Sequence, residues 1–242
     1  MLPCVVLSGG LGTRMRPWTE RLPKALIPVM GRPFAELQLA WLAGEGVEEV
    51  VYSVGYRGDM IRAALGSGRR FGLKIDYVDE GEDLRGSGGA LRLALDRRAL
   101  PDRFFVLYGD SYLRVELAAV EAHWRASGKA ALMTVLRNAG RWDRSNAVLR
   151  DGVVFYDKHS ADGGIDKEWI DYGLSVTSAD VVAGWLPPGG RGDLADLFHL
   201  LSVRGELAGF EVTDRFYEVG SPSGLNELED HLRQSAGEAA RD

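Results

Sequence analysis

Apolar runs and helix-period runs alternate from the first residues onward, and no other feature narrows the possible folds of this chain as far. PCVVLS is followed by FAELQLAWLAGEG, then EEVVYSV, GDMIRAALGSG and LKIDYV. Short β-rich runs separated by stretches long enough for a crossover helix predict βαβ units and a parallel sheet covered on both faces. In the first helical run Phe34, Leu37, Trp41 and Leu42 share one face, and Gly44 and Gly46 end it. That face is expected to pack on the sheet. The alternation continues through GALRLALDRRAL, RFFVLYGD, LAAVEAHWRAS and AALMTVL. From Asn146 the rhythm shortens: AVLR and VVFYDK flank Asp151-Gly152, a favoured hairpin pair. WIDYGLSVT follows, and QSAGEAARD closes the chain as a small, polar segment expected to fray from residue 235 to 242. The expectation is one α/β domain over residues 1–234, a Rossmann-like mixed, mainly parallel sheet flanked by helices.

At 242 residues, 45% hydrophobic and 26% charged, the chain can bury one substantial core. A net charge of -6 gives no general attraction to nucleic acid or anionic lipid, so any phosphate binding must come from a local basic cluster. Cys4 is the sole cysteine, which excludes an internal disulfide and a Cys-rich zinc site; its apolar surroundings point to buried packing. His123, His159, His199 and His231 show no metal-ligand spacing and are expected to be surface or structural. No apolar stretch approaches the roughly 20 residues of a spanning helix, and no secretory pattern opens the chain. The expectation is a soluble, cytoplasmic protein with neither nucleic acid nor membrane as partner. Homo-oligomers stay open.

The first predicted strand runs into LSGGLGTRMRP, a glycine loop at the carboxyl end of a strand, where open α/β sheets bind ligands. It is neither common phosphate loop. Met15 stands where a dinucleotide fingerprint needs glycine, and no G-K-S or G-K-T closes a Walker loop. Glycines at 9, 10 and 12 nonetheless let backbone approach a ligand closely, and successive N–H groups make an anion-binding nest. Arg14 and Lys24 could add the positive charge that a polyphosphate requires.

GGLGTRMRPWTERLPKAL resembles the signature of the sugar-phosphate nucleotidyltransferases, GGxGTRxxPxTxxxPKP, matching every fixed position but the last, where Ala25 replaces proline. The resemblance extends along nearly the whole chain and looks nearest the heptose-1-phosphate and mannose-1-phosphate guanylyltransferase-like branches. RFFVLYGDSYL is similar to the strand ending in the metal-binding aspartate, and FYDKHS to the EKP segment. IDYGLSV stands where the family has NAGIY, and RFYEVGSPSGL where it has D-x-G, then Ser or Thr, then Pro.

The resemblance implies a nucleotide-diphospho-sugar transferase fold, with a nucleotide-binding half at 1–136 and a sugar-phosphate-binding half at 137–234. It implies transfer of a nucleotidyl group from an NTP to a sugar 1-phosphate with release of pyrophosphate, assisted by Mg²⁺. Arg14 matches the arginine that neutralises the departing phosphates, with Leu7, Gly9, Gly10, Leu11, Gly12 and Thr13 forming the loop around them. Lys24 matches the lysine that bridges the α-phosphate and the acceptor phosphate. Asp110, following Gly109, matches the metal aspartate, and Glu218 stands at the second metal position with a longer side chain. Ser87 and Gly88 fall in the segment closing over the base. Glu80 could accept from the paired donors of guanine or stand as a surface carboxylate, so GTP is favoured over other NTPs.

On the acceptor side, Lys158 matches the lysine of EKP, Asp157 replaces its glutamate, and Asp171 and Tyr172 replace the first two residues of NAGIY. These changes suggest an unusual sugar, or one with an altered hydroxyl pattern; the resemblance to the two branches implies a heptose or hexose. Two alternatives remain at this level: a weakened regulatory paralogue that binds nucleotide sugar, and a metal-dependent glycosyltransferase. Asp110 is followed by Ser111 and Tyr112, so the DxD pair of the latter class is missing.

Overall fold

The computed structural model describes residues 1–158 and 167–239. Strand β1 (Cys4–Ser8) leads into the glycine loop, after which the short strands β2 (Pro28–Val29) and β3 (Arg32–Pro33) precede helix α1 (Phe34–Gly44). The repeating units follow: β4 (Glu49–Val54), α2 (Gly58–Leu65), β5 (Lys74–Asp79), α3 (Gly86–Asp96) and β6 (Arg103–Tyr108). Then come β7 (Ser111–Tyr112), α4 (Leu117–Ser127), β8 (Ala131–Arg137), β9 (Ala147–Arg150), β10 (Val153–Tyr156) and β11 (Trp169–Ser178). The chain finishes through α5 (Ala179–Trp185), α6 (Leu194–Val203), β12 (Leu207–Val212), β13 (Tyr217–Glu218) and α7 (Pro222–Ala239).

Nine strands form one mixed sheet in the order β5-β4-β1-β6-β11-β8-β12-β10-β9. The pairs β5-β4, β4-β1 and β1-β6 are parallel, as the βαβ alternation predicts. β11 inserts antiparallel between β6 and β8, so the later strands continue the same sheet. Asp151 and Gly152 both take positive φ, 50° and 75°, which makes the tight turn between β9 and β10.

Burial follows the pleat of β1. Cys4 and Val6 face one core with Leu39 of α1, Ile61 of α2 and Val120 of α4. Val5 faces the other, with Leu91 of α3, Val182 of α5 and Phe198 of α6. A strand enclosed by helices on both sides reads as a continuous apolar run. Burial also pushes the Cys4 thiol far above its ordinary range, as an inert packing residue requires. On α1 the buried face is Phe34, Ala35, Gln38, Leu39 and Leu42, while Leu37 and Trp41 are only partly covered. The expected stripe is thus rotated toward Leu39, because α1 meets the sheet on one side and a third cluster on the other. That cluster joins Phe34 with Met15, Ile27, Val29, Val219 and Leu228. Each such fully buried side chain contributes about 1.5–3 kcal/mol.

The histidines are structural where they are described: His123 meets Phe210 edge-on at 5.5 Å, His199 Nδ1 lies 2.7 Å from the Tyr156 carbonyl, and His231 stacks on Tyr217 at 4.5 Å. His159 lies outside the described residues. α7 runs on to Ala239, past residue 235 where the tail was expected to begin. Ala236, Glu238 and Ala239 in its last turn are good helix formers, and that outweighs its polarity. Residues 240–242 lie outside the described residues. Among the described residues no helix is long and apolar enough to cross a membrane.

Candidate active site

The glycine loop and the carboxyl ends of β1 and β6 enclose a cleft of about 400 Å³. Its wall includes Leu7, Gly9, Gly10, Gly12, Thr13 and Arg14 from the loop, with Lys24, Gly109 and Asp110 opposite. Two close approaches need glycine. A Cβ on Gly9 would stand 2.3 Å from Glu80 Oε1, and one on Gly109 would stand 2.7 Å from the Leu7 carbonyl, which accepts the Gly109 N–H at 2.9 Å. Gly12 has φ 61° and starts a short 3-10 turn, Thr13–Met15, that turns Arg14 toward the cleft. Thr19 Oγ1 donates to the Gly12 carbonyl at 3.0 Å and holds that turn. Gly10 has nothing within 4 Å of where a Cβ would stand. The side chain of Leu11 is 49% exposed and points into solvent.

Four charged side chains converge at one end of the cleft. Lys24 Nζ donates to Asp110 Oδ2 at 2.5 Å, with both side chains mostly covered. A Cβ on Gly220 would stand 3.3 Å from Arg14 Nη2, 3.3 Å from Glu218 Oε2 and 3.7 Å from Lys24 Nζ, so these three groups surround one bare backbone position. Burial first, and then the charge of Asp110, raise the Glu218 carboxyl to about 7; Lys24 and Arg14 pull in the other direction.

The elements that carry these residues are tied together by backbone. Glu218 is in register with Ser111 across the β13–β7 pair, and the Val219 N–H donates to the Asp110 carbonyl at 2.8 Å. From α1, the buried Gln38 amide donates to the carbonyls of Tyr108 and Ser111 at 3.0 and 2.8 Å, pinning the turn that presents Gly109 and Asp110. A buried amide bonded across that turn rigidifies the mounting of the carboxylate.

At the other end of the cleft stand Glu80 and Ser87, with Leu84 and Ala90 supplying apolar wall. Glu80 Oε2 accepts the Arg85 N–H at 3.0 Å, and burial raises its pKa above the ordinary glutamate range. Gly88 is placed elsewhere. Its N–H donates to the Gly192 carbonyl at 2.9 Å, and a Cβ there would stand 2.5 Å from the Trp185 ring. The glycine lets α3 pack against the segment between α5 and α6, and it does not line the cleft.

The acceptor-side residues divide in two. Lys158 reaches Asp193 Oδ2 at 3.5 Å, and Asp157 pairs with Lys167 at 3.3 Å. Asp171 faces the same region: its Oδ1 accepts the Gly173 N–H at 3.0 Å, its own N–H donates to Asn146 Oδ1 at 2.9 Å, and the register of β11 on β8 shifts just after it. Burial raises its carboxyl to about 6, with Asp193 adding in the same direction and Lys158 opposing. Tyr172, next along the strand, points to the opposite face. It is fully buried, its hydroxyl bonds the backbone of Arg114, and its ring meets Phe216 edge-on at 5.6 Å. Strand alternation puts it in the core, and it does not join the site.

Three residues that the sequence did not single out belong to this region. Gly220 leaves room for the three charges around it. Tyr108 lines the cleft, and its phenol is raised well above the ordinary range by burial and by the carboxylates Asp171, Asp193 and Asp110. Asp193 sits between Ser87 and Lys158. Asp193 had a local signal, an Asp-Leu-Ala start to a helical run, and Gly220 is the glycine of the stretch set against the D-x-G pattern; Tyr108 had none beyond adjacency to Gly109.

Residues 4–145 match the family model described as nucleotidyl transferase. D-glycero-alpha-D-manno-heptose 1-phosphate guanylyltransferase of Aneurinibacillus thermoaerophilus is 32% identical over 170 residues, 68% of this chain and 72% of the relative. Mannose-1-phosphate guanylyltransferase of Mycobacterium tuberculosis is 34% identical over 238 residues, 96% of this chain but only 63% of the relative, so the chain spans just under two thirds of that protein's length. The crystal structure of HddC from Yersinia pseudotuberculosis superposes with a TM-score of 0.76, covering 96% of this chain and all of that one at 22% identity, which shows a common fold. With the family model covering more than half of the chain and the glycine loop mounted on a cleft of charged residues, this protein belongs to the nucleotidyl transferase family.

Proposed function

We propose that the chain transfers a nucleotidyl group from an NTP, GTP before others, to a sugar 1-phosphate of the heptose or hexose class, releasing pyrophosphate. One observation carries the reading: Arg14, Lys24, Asp110 and Glu218 come together around Gly220 at the mouth of a glycine loop. Two cations beside two carboxylates suit a polyanion that arrives with a counter-cation. The names of the heptose and mannose relatives support the sugar class and the base.

In this reading an oxygen of the sugar 1-phosphate attacks the α-phosphorus in line, and the bond from that phosphorus to the oxygen bridging to the β-phosphate breaks. The leaving electron pair departs with pyrophosphate. No covalent nucleophile is needed, so positioning and charge neutralisation do the work. The N–H groups of the loop and Arg14 receive the charge that builds on the leaving phosphates. Lys24, held by Asp110, faces the α-phosphate and the incoming phosphate at once. Lys158 holds the acceptor phosphate from the opposite side, and Asp157 and Asp171 stand by the acceptor's hydroxyls.

The donor set fits Mg²⁺. Asp110 and Glu218 would offer hard oxygen ligands beside a phosphate cleft, and burial first, then the charge of Asp110, raises Glu218. When bound there, the ion neutralises phosphate oxygens and polarises the reacting phosphorus. Among the described residues no cluster of three or more His, Cys, Asp or Glu side chains stands ready to hold a metal, which suits an ion whose remaining ligands are phosphate and water.

The test is pyrophosphate release from each of the four common NTPs and dTTP against a panel of heptose and hexose 1-phosphates in Mg²⁺. GTP-dependent release with at least one acceptor is expected. Release with none of them overturns the reading.

A further inference from the structure

Asp193 has more bonds than a helix cap needs. As N-cap of α6, its Oδ1 accepts the Ala195 N–H at 3.0 Å, and asparagine, serine or threonine would serve that purpose equally well. The same oxygen also accepts from Ser87 Oγ at 2.8 Å. Ser87 in turn accepts the Leu194 N–H at 2.8 Å, so its hydroxyl is used as both donor and acceptor and locks the carboxylate plane. That leaves Oδ2 directed at Lys158 Nζ, 3.5 Å away. Neither cap nor serine requires a negative charge. The lysine does.

The charge is kept at a cost. Asp193 lies close enough to Asp171 to help raise its carboxyl, and both carboxylates act on the phenols of Tyr108 and Tyr156. An exposed ion pair returns little stability, since both partners of the Lys158–Asp193 pair are nearly half exposed. Its effect is on geometry. Lysine carries a point charge on a flexible four-carbon stem, and its rotamer entropy opposes holding it in one place. A fixed carboxylate limits where the ammonium can go before any acceptor arrives. Because Ser87 is part of the cleft wall, that limit is set relative to the nucleotide side.

We infer that Asp193 is a positioning residue that registers Lys158 against the nucleotide wall through Ser87, so that the acceptor phosphate is met at a fixed distance from the NTP. This inference rests on the functional reading above and assigns Asp193 a role in it.

Asp193→Asn keeps the cap and the Ser87 bond and removes only the charge. The experiment is a double-mutant cycle of Asp193→Asn and Lys158→Ala, with kcat and KM measured separately for the NTP and the sugar 1-phosphate, and with thermal melting. In the otherwise unaltered chain, Asp193→Asn is expected to lower kcat/KM for the sugar 1-phosphate about tenfold, leaving KM for the NTP and the melting temperature unchanged. In the Lys158→Ala background it should have no further effect. A silent Asp193→Asn, a loss of equal size without Lys158, a shift confined to the NTP, or a large drop in melting temperature overturns the inference and leaves Asp193 a cap. An unaltered chain that turns over no acceptor at all overturns the functional reading, and this inference with it.

Discussion

Around Gly220, two cations and two carboxylates face one another across a cleft, whereas around Asp193 the charged side chains are paired one to one at its edge. Lys24 and Asp110 are mostly covered, and Glu218 is raised toward neutrality by being there. Lys158 and Asp193 are nearly half exposed. A charge held in a partly dry site interacts strongly and costs no reorganisation when a substrate charge appears. A charge at the wet rim orients its ligand and contributes less. The difference teaches where large and small kinetic effects should fall.

Substitutions at the dry end should have the largest effect. Lys24→Ala and Arg14→Ala are each expected to lower kcat by roughly 10²–10³ while the melting temperature holds, because in the proposed reaction each removes a charge directed at the reacting phosphates. Near-normal pyrophosphate release in both would erase the distinction between the two regions. Glu218→Gln tests the second carboxylate of the same end. Loss of activity together with a weaker dependence on Mg²⁺ is expected, with Glu218→Asp partly active; a Glu218→Gln chain that titrates with Mg²⁺ like the unaltered one removes Glu218 from the metal site.

Gly88 sharpens the comparison, since the sequence groups it with the base and the structure packs it against Trp185. Alanine gains about 1 kcal/mol of helix propensity, yet overpacking costs typically 1–3 kcal/mol, so Gly88→Ala should lose up to about 2 kcal/mol and melt up to a few degrees lower. KM for the NTP should stay within about twofold of normal, by the same reasoning that a packing contact is not a ligand contact. Weaker NTP binding at an unchanged melting temperature would return Gly88 to the nucleotide site.

The smallest effect expected is at Asp171, and it is one of stability. Its carboxyl is raised to about 6 in the folded chain, above the ordinary aspartate value, so folding disfavours the ionised form. The penalty is absent below the unfolded pKa of about 4, grows as pH rises through 6, and is complete above. Asp171→Asn keeps an oxygen for the Gly173 N–H and removes the penalty. At pH 8 it should stabilise by about 1–2 kcal/mol, discounted from the full two-unit shift because the residue is only partly covered. At pH 4.5 the gain should fall to about a third of that. Denaturant melts at the two pH values decide it, and a gain of equal size at both would mean that the ionised form carries no penalty here.

The parallel half of the fold was legible because burial on both faces writes itself as continuous apolar runs such as CVVLS and FFVLY. The insertion of β11 between β6 and β8 was not, because an antiparallel partner leaves no mark in local periodicity. The glycine loop, Arg14, Lys24 and Asp110 were legible as a contiguous signature plus a strand end. Tyr172 was read as an acceptor contact because, with Asp171, it stands where the family has the first two residues of NAGIY; a one-residue step along a strand reverses the face. Tyr108 and Asp193 matter through neighbours distant in sequence, 106 residues for Asp193 with Ser87 and 35 with Lys158, and no local pattern reports such a meeting.

The third apolar cluster joins segments far apart in sequence: Met15, Ile27 and Val29 from the glycine-loop side pack with Val219 and Leu228 from beyond β12. A nascent chain on the ribosome can therefore complete its sheet through β12 while the underside of the signature loop is still bare. That underside is covered only when Val219 and Leu228 have emerged. The loop that carries Arg14 and Lys24 is thus translated well before the apolar side chains that support it.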